Sequence, residues 1–385
     1  MQSADAYLEG SPVDRAAFFS LIAAGGFILL RRKIDWGRLL IQNKWIWFYF
    51  LYCGISIIWS DYPFVSFKRL IKDLGNPIMA LVILTEKRPY EAIGVILRRL
   101  GFLLLPLSVL FIKYYPALGR AYHADGSPMF TGVAQQKNDL GLICLICGIY
   151  FLWNFLLNRK GAFKLREGGS FTDLILLGMV AWLLHMSQSA TSLVCFVVAA
   201  SALFMSRMSL IAQKPGRIIV LMMVAASLFM VLDTTLDASD AVLGMLGRDP
   251  TLTSRTRIWQ VCREMATNPV VGAGYRSFWT GERMEILWGK IGQNIIQSHN
   301  GYLEQYLNLG YIGVAFIGII ILSGLLKVRR HLNLDYPSAI LRLCFIVSAV
   351  LYNYAEAYFN ASNMWVVLLL GIIEIPSQQG PISKV

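Results

Sequence analysis

Apolar residues run in long blocks along this chain, separated by short polar connectors and one wide polar stretch. The blocks fall near 17–30, 44–59, 70–84, 93–113, 138–157, 171–186, 189–206, 216–233, 301–326, 338–355 and 361–375. Most approach the ~20 residues that a helix needs to cross a bilayer. The pattern predicts an all-α polytopic membrane protein with about 11 transmembrane helices in a single membrane domain over residues 1–385. The wide polar stretch, 234–300, reads as an insertion on one face of that domain. Asp249-Pro250 and Asn268-Pro269 are turn signals within it. Between them, Thr253 to Ala266 predicts a short amphipathic helix, with Ile258, Trp259, Cys262 and Met265 on one side and Thr253 or Ser254 as its cap. Gly272-Ala273-Gly274 predicts a flexible strand or loop, and a second short helix is expected near 281–292.

Composition supports the membrane reading. The hydrophobic fraction is 56% and the charged fraction only 15%, against about 25% charged in a soluble domain. A net charge of +12 raises the question of nucleic acid. The basic residues instead cluster in alternate connectors: Arg31-Arg32-Lys33, Lys87-Arg88, Arg159-Lys160, Arg207 with Lys214, and Arg329-Arg330. That alternation follows the positive-inside rule. It places those connectors in the cytoplasm, the 234–300 insertion and residues 114–137 outside, the N-terminus outside and the C-terminus inside. Residues 1–16 hold no apolar signal core, so either the first span inserts in reverse or a helix precedes it. Cys144 and Cys147 share a CxxC spacing, but one helical turn inside an apolar run reads as buried small residues.

Candidate chemistry gathers at the polar edges of the apolar runs. Arg255 and Arg257 sit near a predicted helix start, where cations are disfavoured unless an anion docks. They could instead reach water or pair with Asp249 and Glu264. His299 stands where the insertion meets the next apolar run, either as an interfacial side chain or as a general base, with Asn300 beside it to orient a sugar or the ring. Lys68, Arg69 and Lys72 fall roughly on one helix face, as anion ligands or as partners of Asp61 and Asp73. Lys137-Asn138-Asp139 opens the fifth run, as an interfacial anchor or part of a site. Ser187-Gln188-Ser189 marks a tight turn whose hydroxyls are expected to cap helices. No Asp-x-Asp sequence or acidic cluster offers a metal site, so no metal is expected.

His299-Asn300, followed after nine residues by Gly310-Tyr311-Ile312-Gly313, resembles a signature of the bacterial O-antigen ligase and polysaccharide polymerase superfamily. Thr251-Leu252-Thr253-Ser254-Arg255-Thr256-Arg257-Ile258-Trp259 is similar to a stretch of its exopolysaccharide polymerase-like branch, and Asn268-Pro269 through Gly272, Gly274 and Tyr275 continues the match. Trp59-Ser60-Asp61-Tyr62-Pro63 with Arg69, Lys137-Asn138-Asp139-Leu140-Gly141 and Ser187-Gln188-Ser189 also resemble its recurring segments. The resemblance covers roughly residues 50–315. Ser254 stands where glycine is common, and Ala190 and Thr191 stand where many ligases carry arginine, which leans toward the polymerase branch.

The resemblance implies transfer of an oligosaccharide from undecaprenyl diphosphate to a sugar hydroxyl of a glycan acceptor, on the periplasmic face of the bacterial inner membrane. No cofactor, metal or nucleic acid is implied, and direct displacement would invert the anomeric carbon. Arg255 is the first choice to hold the leaving diphosphate, with Arg69 and Arg257 next and Lys68, Lys137, Asn138 and Arg276 as further ligands. His299 would take the acceptor's proton. Besides the surrounding lipids, expected partners are a flippase and a chain-length regulator. Two alternatives stay open. One is an O-antigen ligase delivering glycan to lipid A core or protein. The other is a polysaccharide or lipid transporter, which would show ionisable residues in mid-span or two pseudo-symmetric halves.

Overall fold

The computed structural model of the protein describes residues 12–122, 126–157, 169–236, 252–359 and 363–376. Every apolar run of the sequence is helical there. The first helices are α1 (Pro12–Arg31), α2 (Trp36–Gln42), α3 (Lys44–Ile55), α4 (Pro63–Asp73), α5 (Gly75–Leu84) and α6 (Pro89–Tyr114). A short antiparallel pair follows, β1 (Arg120–Tyr122) and β2 (Pro128–Phe130), with Arg120 opposite Phe130. Next come α7 (Lys137–Leu157), α8 (Gly169–Ser187), α9 (Ala190–Met205) and α10 (Arg217–Leu236). The insertion supplies α11 (Leu252–Glu264) and α12 (Gly281–Ile291). The chain then runs through α13 (Gly301–His331), α14 (Tyr336–Ala355) and α15 (Asn363–Ile372).

Among the described residues four helices, α6, α7, α13 and α14, are long and apolar enough to cross a membrane. Shorter apolar helices, including α3, α8, α9 and α15, accompany them. The run expected at 70–84 is divided, because Pro77 has no N–H for the carbonyl of Asp73 and the helix breaks at Leu74. Ahead of the break, α4 is amphipathic and buries Ser66, Leu70 and Asp73. The runs near 171–186 and 189–206 are separate helices, parted at Gln188 with φ 49°. Ser189 occupies the cap position of α9, but its hydroxyl pairs with Ser192 Oγ at 2.9 Å rather than capping the backbone as expected. All six cysteines are buried and unpaired, Cys144 and Cys147 inside α7.

α14 lies at the centre of the bundle, packed by α9, α13 and α15. Its apolar residues face every direction, and nearly its whole length is buried. The insertion has a small core of its own, in which Ile258, Cys262, Phe278, Trp279, Met284 and Leu287 meet Leu307 of α13. Burial pushes the Cys262 thiol up to about 12, so it behaves as an apolar side chain. α11 starts at Leu252, so Thr253 and Ser254 lie inside its first turn rather than capping it. The expected turn at Asp249-Pro250 lies outside the described residues.

The insertion is threaded into a break in α13. Gly310 has φ 66° and ψ −165°, a conformation essentially reserved for glycine. The break releases two backbone donors, which find carbonyls in the insertion: Tyr311 N bonds Pro269 O at 2.9 Å, and Ile312 N bonds Val270 O at 3.3 Å. In return Leu307 O accepts from Ala273 N at 3.0 Å, and Leu309 O accepts from Tyr52 Oη at 3.0 Å. The Gly272–Gly274 stretch is therefore a buried, packed loop rather than a flexible one. A second anchor is Glu304, buried on α13. Its Oε2 accepts from Ser298 N at 3.1 Å, Ser298 Oγ at 3.0 Å and Trp279 Nε1 at 3.1 Å, and its Oε1 accepts from Asn308 Nδ2 at 3.1 Å.

Both anchors can be tested by thermal unfolding of the detergent-solubilised protein. Gly310→Ala would drive its Cβ into the Val270 carbonyl and force a strained backbone, at a cost of about 1–3 kcal/mol or more. Glu304→Ala would orphan buried donors, at about 1–3 kcal/mol for each. Both variants are expected to melt earlier; a wild-type melting temperature in either contradicts that anchor.

Candidate active site

The candidate site forms at one end of the bundle, where α13 and α7 begin and α14 ends. Its shape starts with three consecutive residues before α13. Ser298 is clamped by Glu304 through its N–H and hydroxyl, and its carbonyl accepts from Trp259 Nε1 at 2.8 Å. Asn300 is the N-cap of α13, its Oδ1 accepting from Tyr302 N and Leu303 N at 3.0 Å each. His299 between them is held with φ 53°. Such left-handed backbone costs a non-glycine residue about 1–3 kcal/mol and persists only where neighbours over-determine it.

The His299 ring meets a carboxylate that ends α14. Glu356 is 1% exposed. Its carbonyl accepts from Gly301 N at 3.0 Å, joining the end of α14 to the start of α13. Its Oε2 lies 3.1 Å from His299 Nδ1. Its Oε1 accepts from Arg255 Nη2 at 2.9 Å and from Asn138 Nδ2 at 2.7 Å. Arg255 also donates through Nη1 to Ala355 O. Three side chains from α7, α11 and the turn before α13 thus converge on one buried carboxylate. Nearby, Tyr358 donates to Asp139 Oδ1 at 2.8 Å. Burial, then the charge of Asp139, raises the Tyr358 pKa and keeps its hydroxyl protonated.

A second polar cluster lies between α4 and the insertion. Asp73 is fully buried and accepts from Arg276 Nη1 at 3.1 and 2.9 Å and from Tyr275 Oη at 2.8 Å. Arg69 donates to the Arg276 carbonyl. Burial is the largest influence on Arg276 and opposes its charge, but the charge and hydrogen bond of Asp73 together with Tyr275 and Glu304 raise the guanidinium pKa. Burial and then Asp73 also raise Tyr275, which stays a neutral donor. Arg276 is another non-glycine residue with positive φ, 50°. The loop carrying both residues continues to Trp279, which bonds Glu304, so one buried acid pins the backbone beside each cluster.

The remaining sequence candidates lie apart. Arg257 is exposed and donates to Lys290 O at 3.0 Å, tying α11 to α12 away from Arg255. Lys68 lies over the Phe64 ring at 5.1 Å on the exposed side of α4. Lys137 opens α7 next to Asn138. The carboxylates weighed as partners of the α4 cations have others: Asp73 takes Arg276, and Asp61 takes Arg283 at 2.6 Å. Arg255 pairs with Glu356 rather than with Glu264, and Asp249, the other expected partner, lies outside the described residues. Glu356 is not among the candidates read from the sequence. An acid closing an apolar run was the available signal, because such a charge survives burial only with a partner.

Arg255 offers a planar fork suited to phosphate oxygens, and His299 a titratable nitrogen, fixed within reach of one carboxylate. Residues 174–318 match the family model described as O-antigen ligase. The matched stretch contains Arg255, Arg276 and His299 and stops before Glu356. The chain is 29% identical over 335 residues to the exopolysaccharide production protein ExoQ of Rhizobium meliloti (strain 1021), covering 82% of this chain and 73% of that protein. A Rickettsia conorii protein provisionally named a polysaccharide ligase is 24% identical over 367 residues, covering 89% of this chain and 84% of its own. The pairing of a cation fork and an imidazole at one end of a helical bundle therefore lies in the stretch of this chain that is similar to the O-antigen ligase family.

Proposed function

We propose that the protein is a membrane glycosyltransferase that polymerises the repeat units of a surface or exopolysaccharide. It moves an oligosaccharide from undecaprenyl diphosphate to a sugar hydroxyl at the periplasmic face of the inner membrane. The observation that carries this reading is the meeting of Arg255 and His299 on one buried carboxylate. Displacement at an anomeric carbon needs a cation for the departing diphosphate and a base for the incoming hydroxyl. Arg255 supplies the first, in a form that stays charged and bonds phosphate with two parallel N–H groups. His299 supplies the second. The bond to diphosphate already holds the energy, so the step needs no nucleotide, and back-side attack inverts the anomeric carbon.

Arg69 and Arg276 form the second cationic region, and in this reading they steady the sugar-diphosphate chain at the insertion. A flippase would deliver the lipid-linked unit, and a chain-length regulator would set the product. The exopolysaccharide production name of the Rhizobium relative supports polymerisation. A second reading, ligation of finished glycan to lipid A core or protein, is favoured by the description of the family model and the name given to the Rickettsia protein.

The test is glycan assembly in cells and with purified protein. His299→Ala and Arg255→Ala are each expected to abolish transfer while the protein still inserts in the membrane, with a lower melting temperature for Arg255→Ala because it leaves the buried Glu356 without its cation. Arg255→Lys is expected to be poor, because a point charge does not replace the fork. Accumulation of single lipid-linked repeat units supports a polymerase. Long lipid-linked chains that never reach their acceptor support a ligase. Polysaccharide of normal length and amount from His299→Ala would remove the proposed base.

A further inference from the structure

Resting on the glycosyl-transfer reading above, we infer that Glu356 is a positioning residue that couples donor capture to base readiness. It holds His299 with Nε2 left to accept a proton, and it occupies Arg255 until a diphosphate takes that guanidinium. The geometry requires both halves. A carboxylate accepts hydrogen bonds and donates none, so the His299 nitrogen 3.1 Å from Oε2 carries its hydrogen on Nδ1. The lone pair of the neutral ring is then on Nε2. Asn138 and Arg255 hold the other oxygen, at 2.7 and 2.9 Å, so the carboxylate cannot swing away from the ring.

The same contacts explain why a buried acid is tolerated. Glu356 is neutralised by Arg255, and a charge buried this deeply without a partner would be costly. A lipid diphosphate is a stronger anionic partner for the fork than a single carboxylate. When Arg255 turns to it, Glu356 keeps Asn138 and His299 but loses its cation. Its charge then acts on the imidazole alone and stabilises the imidazolium that forms during transfer. The carboxylate is left to the His299 ring only once the leaving group is in place, so donor capture precedes removal of the acceptor's proton.

In the step itself the acceptor O–H bond breaks and its proton goes to His299 Nε2. The oxygen's electron pair forms the new bond to the anomeric carbon. The bond from that carbon to the diphosphate oxygen breaks, and its pair leaves with the diphosphate on Arg255. The Nδ1 hydrogen stays on the ring, bonded to Glu356, and the Nε2 proton then passes to solvent water.

Two measurements on the full chain in lipid nanodiscs test this. One is turnover of lipid-linked repeat units extracted from a strain lacking the gene; the other is equilibrium binding of undecaprenyl diphosphate. Glu356→Gln keeps the size of the side chain and removes the charge. Its turnover is expected to fall about 100-fold or more, within the range of general base catalysis. Its affinity for undecaprenyl diphosphate is expected to be unchanged or tighter, because nothing charged competes for Arg255. Glu356→Asp, which keeps the charge at a shorter reach, is expected to recover part of the turnover at wild-type affinity. Wild-type turnover in Glu356→Gln overturns the inference while leaving the glycosyl-transfer reading intact. Parallel loss of turnover and affinity in both variants also overturns it, as the mark of a purely structural residue. Failure of the unmutated protein to bind undecaprenyl diphosphate at all removes the reading beneath it.

Discussion

A carboxylate closed off from water must be matched by donors, and the Glu356 side chain sets that requirement at the end of α14. Asn138, Arg255 and His299 meet it, and they come from three separate parts of the chain. Removing one partner from a buried ion pair typically costs about 3–5 kcal/mol. The requirement therefore fixes how α7, α11 and α13 stand around α14. The polar contacts that organise this end of the bundle are also the ones with the chemistry to handle an anion and an alcohol. Structure and proposed mechanism draw on the same atoms.

The insertion reaches that place because α13 opens to receive it. Gly310 breaks the helix, and the exposed donors and acceptors of the break are taken by residues 269–273. Six residues earlier, Glu304 holds Ser298 and Trp279. Together these contacts set the backbone on each side of His299 and hold α11 against the bundle. Two of the non-glycine residues with positive φ, Arg276 and His299, lie on this framework. Strained backbone with polar side chains directed into a cluster is the expected mark of a site whose geometry is imposed by its surroundings.

Much of the fold was legible because apolar periodicity is a strong signal. The helical runs, the split between α8 and α9, and the two short helices of the insertion all follow from it. Boundaries at breaks were less legible. The division of 70–84 depends on Pro77 within an otherwise continuous apolar run, and α11 starts earlier than the capping rules place it. For the candidate site, His299 and Arg255 stood out by residue type and position. What sequence could not supply was partnership. Arg257 follows Arg255 by two residues, so on a helix it points to another side, toward Lys290. Asn300 reads as a sugar ligand in the sequence, and its oxygen is used as a helix cap. Glu356 lies 57 residues beyond His299 by sequence and becomes its neighbour only through the return of α14 beside α13.

The most direct test of the account is a cryo-electron microscopy structure of the full chain with undecaprenyl diphosphate bound. The account predicts diphosphate density within hydrogen-bonding distance of the Arg255 guanidinium, with the His299 ring on the same cavity and still seated on Glu356. Diphosphate density elsewhere, with Arg255 unmoved on Glu356 and His299 facing away from the lipid head, would contradict it.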